Sequence, residues 1–357
     1  MIVEHLELVD FRNYRKERFE LTDGTTVVLG NNGHGKTNLA EALAYLATLS
    51  SFRGVSNEAM IRHEAETAVI RATVLHPDGR RSNVDAELSR GAPGRVQVNR
   101  QRLRRTRDLL GTIRVTVFSP DDLGIVKGSP GERRRYVDDA LVALSAKYDA
   151  VRLDVDRAVR QRNRLLKQMA GRMDGDDAVT LDVWDARLAG AGERFGEARA
   201  ALIGRLAPIV QEAYGDLAGP TSVGLSYEPP WRTQGLAAAL AVARTADVRL
   251  RASTVGPHRD DIELSIGSLP ARSQASQGEQ RTLALALRLG THRLVSEQED
   301  SAPVLVLDDV LSELDASRAA ALLRHLPVGQ IIITTAGAIP DAVEPHRIIR
   351  ITDGAQV

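Results

Sequence analysis

The segment Gly30–Thr37 constrains the fold of this chain more than any other feature. It reads Gly-Asn-Asn-Gly-His-Gly-Lys-Thr, matches G-x-x-x-x-G-K-[ST], follows the apolar run Thr26–Leu29 and precedes Lys36–Leu49, which has helical apolar spacing. Glycines let backbone N–H groups turn inward around phosphate oxygens, and the N-terminus of the following helix adds positive potential. The segment therefore predicts a strand, a loop and a helix that together bind a nucleotide phosphate.

Each position of this loop has an expected role. Lys36 is predicted to reach the β- and γ-phosphates, and the hydroxyl of Thr37 to coordinate Mg²⁺. We interpret His34 as a solvent-facing spacer rather than a catalytic residue. The residues expected to contact ATP are Gly30, Asn31, Asn32, Gly33, His34, Gly35, Lys36, Thr37 and Asn38.

A second element combines the apolar run Val304–Leu307 with the carboxylates Asp308 and Asp309. A buried strand that ends in carboxylates, downstream of a phosphate loop, is typical of Mg²⁺-dependent nucleotide hydrolysis. We predict that Asp308 holds Mg²⁺ through water. Asp309, which would polarise the attacking water, and Lys36 are the predicted catalytic residues.

A third element, Ser276–Gln280, opens a predicted helix upstream of the carboxylates. It resembles the L-S-G-G-Q signature of ABC-type ATPases, in which the signature of one subunit faces the γ-phosphate bound by the other. The resemblance implies that two heads enclose two ATP molecules. The implied signature residues are Ser276, Gln277, Gly278, Glu279 and Gln280, and the implied residues of the interface loop, or D-loop, are Ser312 and Asp315.

The pattern of apolar residues divides the chain into three parts. Residues 1–130 and 251–357 contain short apolar runs typical of strands, separated by a few helical segments. Residues 131–250 instead have apolar residues three and four positions apart, which favours long helices, predicted at about 134–171 and 179–217. We therefore expect a discontinuous α/β head, with mixed antiparallel and parallel sheet and helices, into which a helical arm is inserted.

With the three motifs in this order, the chain resembles the RecF family, whose relatives include the SMC and Rad50 ATPase heads. Further stretches carry the resemblance over almost the full length. They are Leu6–Tyr14 (L-x-L-x-x-F-R-N-Y), Phe118–Leu123 (F-S-P-D-D-L), Gly128–Pro130, Arg133–Asp138 (R-R-R-Y-V-D) and Gly256–Asp261 (G-P-H-R-D-D).

The resemblance implies a function in recombinational DNA repair, replication restart and the SOS response. It implies ATP and Mg²⁺ as cofactors, an ATP-dependent homodimer, and binding to double-stranded and gapped DNA near single-strand/double-strand junctions. RecR and RecO are the implied protein partners in loading recombinase. A weak, DNA-stimulated ATPase activity is expected.

Two departures from ABC transporters suggest slow hydrolysis. Asp309 stands where transporters carry a longer glutamate, and Ile331–Ile333 runs into Thr334 and Thr335 where transporters carry a switch histidine. We hypothesise that hydrolysis acts as a timed release rather than as a motor. No glutamine can be assigned to the Q-loop from the sequence.

The formal net charge is +0, so no general positive field indicates a nucleic-acid partner. A local basic surface remains compatible with this balance. Its candidate DNA-binding residues, in the densest basic stretch, are Arg100, Arg102, Arg104, Arg105 and Arg107. The second basic run, Arg133–Arg135, either contacts DNA or pairs with Asp138 and Asp139.

Two other functions remain open from the residues alone. The chain contains no cysteine, which excludes disulfides and thiolate metal sites, and it shows neither a secretory signal nor an apolar run of membrane-spanning length. We therefore expect a cytoplasmic protein without a membrane partner. The alternatives are the ATPase subunit of an ABC transporter and, with less support, a P-loop kinase.

Overall fold

The computed structural model describes residues 1–172, 174–299 and 301–357. They form two compact units. The first unit contains Met1–Leu123, Glu212–Pro220 and Arg281–Val357, and the second contains Gly124–Gln211 and Thr221–Gln280. The predicted head and arm boundaries at residues 130 and 251 stay a prediction about domain organisation.

Strands dominate the two ends of the chain. In chain order they are β1 Ile2–Phe11, β2 Tyr14–Glu20, β3 Thr25–Leu29, β4 Thr67–Leu75, β5 Arg81–Ser89, β6 Arg95–Val98, β7 Gln101–Arg102, β8 Val115–Phe118, β9 Val223–Ser226, β10 Glu263–Ile266, β11 Leu269–Pro270, β12 Val304–Asp308, β13 Ile331–Thr335, β14 Arg347–Thr352 and β15 Ala355–Gln356.

Helices occupy most of the middle of the chain. They are α1 Lys36–Thr48, α2 Leu123–Lys127, α3 Pro130–Leu144, α4 Lys147–Gln168, α5 Gly175–Ala218, α6 Trp231–Gln234, α7 Leu236–Leu250, α8 Ala271–Gln274, α9 Gln277–Glu299 and α10 Ala316–Arg324.

A mainly parallel sheet in the first unit positions the nucleotide motifs. Its strand order is β15-β14-β3-β13-β12-β8, and β14, β3, β13, β12 and β8 run parallel. Every residue of β12 and β13 is buried, which explains their continuous Val, Leu and Ile runs. Since parallel strands end at the same edge, the ends of β3, β13 and β12 lie side by side.

The first unit also contains an antiparallel sheet of order β2-β1-β4-β5-β6-β7. Alternate residues of β4 are buried, as expected for a sheet with one face on the core. The core includes Phe11, Tyr14 and Phe19 together with Leu39 and Leu43 of α1. The predicted α/β class with mixed antiparallel and parallel strands is confirmed.

The second unit combines long helices with a small sheet of order β11-β10-β9. The predicted helix at 179–217 lies within α5. The predicted single helix at 134–171 is wrong, because the chain is extended at Ser145 (φ −160°, ψ 123°) between α3 and α4. Apolar spacing continues on both sides of this residue, so periodicity alone does not reveal the break.

Within the described residues, no helix combines the length and the apolar character needed to cross a bilayer.

Candidate nucleotide-binding site

The phosphate loop connects β3 to α1, as the motif predicts. Gly33 and Gly35 adopt positive φ angles of 86° and 114°, which favour glycine. A Cβ atom on Gly35 would also lie 2.8 Å from the side chain of Asn13 and 3.0 Å from the hydroxyl of Tyr14. Glycine at position 35 is therefore required by both its backbone conformation and its neighbours.

The loop is supported by Asn13, in the turn between β1 and β2, and by Tyr14, the first residue of β2. Asn13 donates from Nδ2 to the carbonyl oxygen of His34 (3.0 Å) and accepts at Oδ1 from Asn38 (2.8 Å). The buried hydroxyl of Tyr14 donates to the carbonyl oxygen of Gly35 (2.8 Å). Sequence reasoning used these residues only as part of the family-like stretch Leu6–Tyr14 and missed their contact with the loop.

The side chain of His34 is only 22% exposed and has protein contacts, so the interpretation as a solvent-facing spacer holds for only a small part of the ring. Its Nδ1 atom lies 3.4 Å from the carbonyl oxygen of Ile351, and its Nε2 atom lies 3.5 Å from a carboxylate oxygen of Asp353. The ring therefore rests against the end of β14. The predicted contact of His34 with ATP involves its backbone, so it does not depend on the position of the imidazole ring.

The ammonium group of Lys36 is directed at the loop itself. Its Nζ atom donates to the carbonyl oxygen of Asn31 (3.0 Å). Burial lowers the pKa of Lys36, while the neighbouring Asp309 and Asp308 act in the opposite direction. A cation that is partly desolvated in this way gains more from an anionic ligand than an exposed lysine would.

The carboxylate of Asp308 joins the loop to the parallel sheet. Its Oδ1 atom accepts from the hydroxyls of Thr37 (3.1 Å) and Thr334 (2.8 Å). Burial raises the pKa of Asp308, although both hydroxyl contacts and Lys36 favour its charged form. A bound cation would strengthen that charged form further.

Asp309 follows directly, with an unusual backbone for a non-glycine residue (φ 53°). Its N–H donates to both the carbonyl oxygen (3.2 Å) and the hydroxyl (3.1 Å) of Thr334. Its buried Oδ1 atom has no hydrogen-bond partner among the residues that the structure describes. The carboxylates of Asp308 and Asp309 and the hydroxyl of Thr37 offer only oxygen donors, and Oδ1 of Asp309 is still unsatisfied. Such a donor set fits Mg²⁺.

A cleft of about 700 Å³ opens beside the loop. Its lining is mostly polar and basic. The lining residues are Arg12, Asn13, Asn38, Arg53, Ser56, Glu58, Ala59, Ile61, His63 and Arg90.

The predicted signature lies at the start of α9, in the second unit. Exposed Ser276 donates from its backbone N–H (2.8 Å) and its hydroxyl (2.7 Å) to the carboxylate of Glu279. Gln280 is buried and donates to the carbonyl oxygens of Ala271 (2.9 Å) and Arg272 (3.1 Å). Ser276 and Glu279 thus cap the helix, whereas Gln280 bonds to the start of α8.

The predicted D-loop residues have contacts within the first unit. The hydroxyl of Ser312 donates to the carbonyl oxygen of Asp309 (2.8 Å). Asp315 caps α10 by accepting from the backbone N–H (2.9 Å) and the guanidinium (2.7 Å) of Arg318. Both residues remain exposed, and their predicted place at a subunit interface stays a prediction.

The predicted DNA-binding arginines surround the hairpin of β6 and β7, and all of them are exposed. A groove of about 430 Å³, which we call the arginine groove, is lined by residues 92–96 and 102–107. It adds Arg95, which the sequence prediction did not include, to the cluster. Asn99 and Arg100 form the hairpin turn, with φ angles of 51° and 66°.

The second basic run has structural partners in the second unit. Arg133 forms a bidentate ion pair with Asp261 (2.7 and 2.8 Å), and Arg134 donates to the carbonyl oxygen of Asp260 (2.6 Å). Asp138 pairs instead with Arg199. The suggested pairing with Asp138 and Asp139 is therefore wrong for Arg133 and Arg134, and for Arg135 it stays a prediction.

Comparison with known proteins is consistent with this geometry. The family described as RecF/RecN/SMC N terminal domain matches residues 2–352. The DNA replication and repair protein RecF of Streptomyces avermitilis is 43% identical, over 96% of this chain and 95% of that protein. The RecF protein of Acidothermus cellulolyticus is 41% identical, over 98% and 97%.

Solved structures show the same similarity. A structure of the recombination mediator protein RecF-ATP in the RecFOR pathway has a TM-score of 0.91 at 28% identity, and the match covers 99% of this chain and 96% of that chain. An Smc head bound to the C-winged helix domain of ScpA shares the fold at a TM-score of 0.59 and 17% identity, with coverage of 100% and 96%. The chain therefore belongs to the RecF family of ABC-type ATPase heads.

Proposed function

We propose that this chain is an ATP-dependent DNA clamp of recombinational repair and replication restart. The observation that carries the proposal is the contact between the phosphate loop and the acidic strand, where Thr37 meets Asp308. Membership of the RecF family supports the DNA-repair assignment and argues against the transporter and kinase alternatives.

ATP is proposed to bind with its phosphates in the loop Gly30–Thr37 and its nucleoside toward the neighbouring cleft. Loop amides and Lys36 would hold the β- and γ-phosphates. Thr37 and Asp308 would hold Mg²⁺, which supplies charge neutralisation between the phosphate oxygens when it is bound. Asp309 would accept a hydrogen bond from the attacking water and orient it toward the γ-phosphate.

Hydrolysis is proposed to be weak, stimulated by DNA, and used for release. The carboxylate of Asp309 is short, and its backbone is tied to Thr334 through two contacts, so its reach toward a water molecule is restricted. The end of β13 presents Thr334 and Thr335 rather than a histidine. Slow chemistry would keep an ATP-bound state closed for long enough to mark a DNA site.

Closure is proposed to occur between two copies of the chain. Each ATP would lie between the phosphate loop of one copy and Ser276–Gln280 of the other. Exposed Ser276 is available at the N-terminus of α9, where the helix dipole favours an anion. Ser312 and Asp315 would lie along the same homodimer interface.

DNA is proposed to contact the arginine groove, through its phosphate backbone rather than its bases. Such contacts suit gapped duplexes and single-strand/double-strand junctions, which differ in shape more than in sequence. We further propose a cytoplasmic location and cooperation with RecR and RecO in loading recombinase during the SOS response. The similar RecF-ATP structure is described as that of a recombination mediator in the RecFOR pathway, which supports these partners.

The test is the solution mass of the protein with Mg²⁺ and either ATP or ADP, measured by light scattering with and without gapped duplex. We expect ATP alone to produce a dimer that binds the duplex. Lys36→Met should abolish nucleotide binding, and Ser276→Arg should abolish dimerisation while ATP still binds. Lys16→Met, at an exposed position of β2, is the matched control. A protein that binds ATP, stays monomeric and ignores DNA would contradict the clamp.

A further inference from the structure

The turn between β14 and β15, formed by Asp353 and Gly354, contacts the phosphate loop from outside. The N–H of Gly354 donates to the carbonyl oxygen of His34 (3.0 Å). The imidazole of His34 lies against the carbonyl oxygen of Ile351 and the carboxylate of Asp353. We call Asp353 and Gly354 the clasp turn.

The clasp turn and the loop approach each other backbone to backbone. A Cβ atom on Gly30 would lie 2.5 Å from the carbonyl oxygen of Ile351, and a Cβ atom on Gly354 would lie 2.5 Å from the carbonyl oxygen of Asn13. Both distances are too short for any residue other than glycine without movement of the backbone. Gly30 of the loop therefore packs against the end of β14, and Gly354 of the clasp turn packs against Asn13, which itself donates to the loop.

This contact determines which way one peptide group of the loop faces. The carbonyl oxygen of His34 accepts from Asn13 on one side and from Gly354 on the other. In a trans peptide the carbonyl and the following N–H point in opposite directions. Holding the His34 carbonyl outward therefore directs the N–H of Gly35 toward the phosphate side of the loop.

We propose that the clasp turn is a positioning element for nucleotide binding, with Gly354 as its key residue. The inference rests on the proposed binding of ATP by this loop and adds a contributor that carries none of the nucleotide motifs. Because coupling is reciprocal, a nucleotide that stabilises the loop must also stabilise the clasp turn. A turn with a purely structural role would neither change the affinity for nucleotide nor be stabilised by it.

Gly354→Ala tests this, with Gly79→Ala as the control. Gly354 and Gly79 have nearly equal φ angles, 79° and 81°, so alanine is strained similarly at both, but a Cβ on Gly79 meets no atom within 4 Å. Affinity for ATPγS with Mg²⁺ and the melting temperature are measured for both variants. We expect Gly354→Ala to bind about tenfold more weakly than Gly79→Ala. Equal affinities of the two variants would overturn the proposal.

Hydrogen exchange in the unmodified chain gives an independent readout, which decides the matter if Gly354→Ala does not fold. Saturating ATPγS is expected to slow exchange in a peptide covering residues 350–357 by about tenfold, while a peptide covering residues 76–81 stays unchanged. Unchanged exchange at 350–357, with ATPγS bound, would overturn the clasp. Failure of the unmodified chain to bind ATPγS would instead overturn the proposed ATP site.

Discussion

The hydroxyl of Thr37 donates to Oδ1 of Asp308 across 3.1 Å, although the two residues are 271 positions apart. This bond joins the end of the phosphate loop to the end of β12. The same oxygen of Asp308 accepts from Thr334, so one carboxylate connects the ends of β12 and β13 to the start of α1.

Thr37→Val removes the hydroxyl and keeps the shape of the side chain. We expect the enhancement of ATP binding by Mg²⁺ to fall by about 10- to 100-fold, because the variant loses both the proposed metal ligand and the bond that orients Asp308. Thr37→Ser keeps the hydroxyl and should retain most of the enhancement. Titrations of ATP with Mg²⁺ and with EDTA provide the measurement, and equal behaviour of the two variants would contradict the magnesium role.

Tyr14→Phe removes the donor to the carbonyl oxygen of Gly35. The carbonyl keeps the backbone N–H groups of Asn38 (2.9 Å) and Leu39 (3.1 Å), so the loss of this one hydrogen bond costs about 0.5–1.5 kcal/mol, and the loop loses its link to β2. We expect weaker ATP binding as well as a lower melting temperature. Tyr45→Phe is the control, because its hydroxyl is also buried but makes only a long contact of 3.4 Å with Asn57. Normal ATP affinity in Tyr14→Phe would contradict the support role.

Acid should destabilise the first unit through His292. Burial, reinforced by Arg293, lowers the pKa of His292 to about 4, whereas a histidine in an unfolded chain titrates near 6.5. Stability from this neutral histidine is complete above pH 6.5 and is lost as the pH falls toward 4. The loss between pH 7 and pH 5 is roughly 2 kcal/mol.

Urea unfolding at several pH values measures this dependence. His292→Gln should flatten the change in the free energy of unfolding between pH 7 and pH 5. His63→Gln, at a side chain that is 95% exposed, should leave the dependence as it is. An unchanged slope in His292→Gln would show that another group is responsible.

The second unit should depend strongly on Arg162. Its side chain is fully buried and pairs with Asp247 (2.6 Å), also fully buried, and with Asp185 (2.5 Å). Arg162→Met leaves buried Asp247 without its cation, and Asp185 with only the more distant Arg244 (3.8 Å), and should cost about 3–5 kcal/mol. Arg160→Met, on an exposed face of the same helix, should cost less than about 0.5 kcal/mol. Chemical unfolding of both variants decides the point.

The arginine groove predicts a defined salt dependence of DNA binding. Replacing Arg102, Arg104 and Arg105 together with glutamine should weaken binding and reduce the slope of log K against log salt by about 0.9 for each lost phosphate contact. Arg80→Gln, at a side chain that is 81% exposed, serves as the control. Fluorescence anisotropy at several salt concentrations measures both slopes, and an unchanged slope in the triple variant would place the DNA elsewhere.

The fold class and the nucleotide motifs were predictable because their constraints are local. A glycine-rich loop between an apolar strand and a helix, and a Val-Leu strand that ends in two carboxylates, each specify their own backbone. The helix break at Ser145 was not predictable, because the apolar spacing of α3 continues into α4.

The supporting contacts could not be predicted, because they join distant segments. β2 is an edge strand with charged residues, and nothing in its sequence indicates a contact with the loop. The preceding residue, Asn13, reaches the loop only because the folded sheet brings the two segments together. The pairing of Arg133 with Asp261 likewise connects two family-like stretches that show no sign of each other in sequence. Short-range patterns select elements, whereas partners of this kind follow from tertiary packing.

The strand β13 carries neither nucleotide motif, yet it lies between β3 and β12. Neighbouring strands are about 4.8 Å apart, so the backbones of β3 and β12, which lead into the phosphate loop and the acidic pair, are separated by roughly two such spacings, about 10 Å. Side-chain substitutions can change the groups proposed to contact ATP. They cannot change the distance between β3 and β12, because the backbone of β13 sets it. A slip of one residue in the pairing of β13 would turn Thr334 to the opposite face and remove the hydroxyl from Asp308. Selection on the chemistry of the site is therefore also selection on the alignment of a strand that carries neither motif.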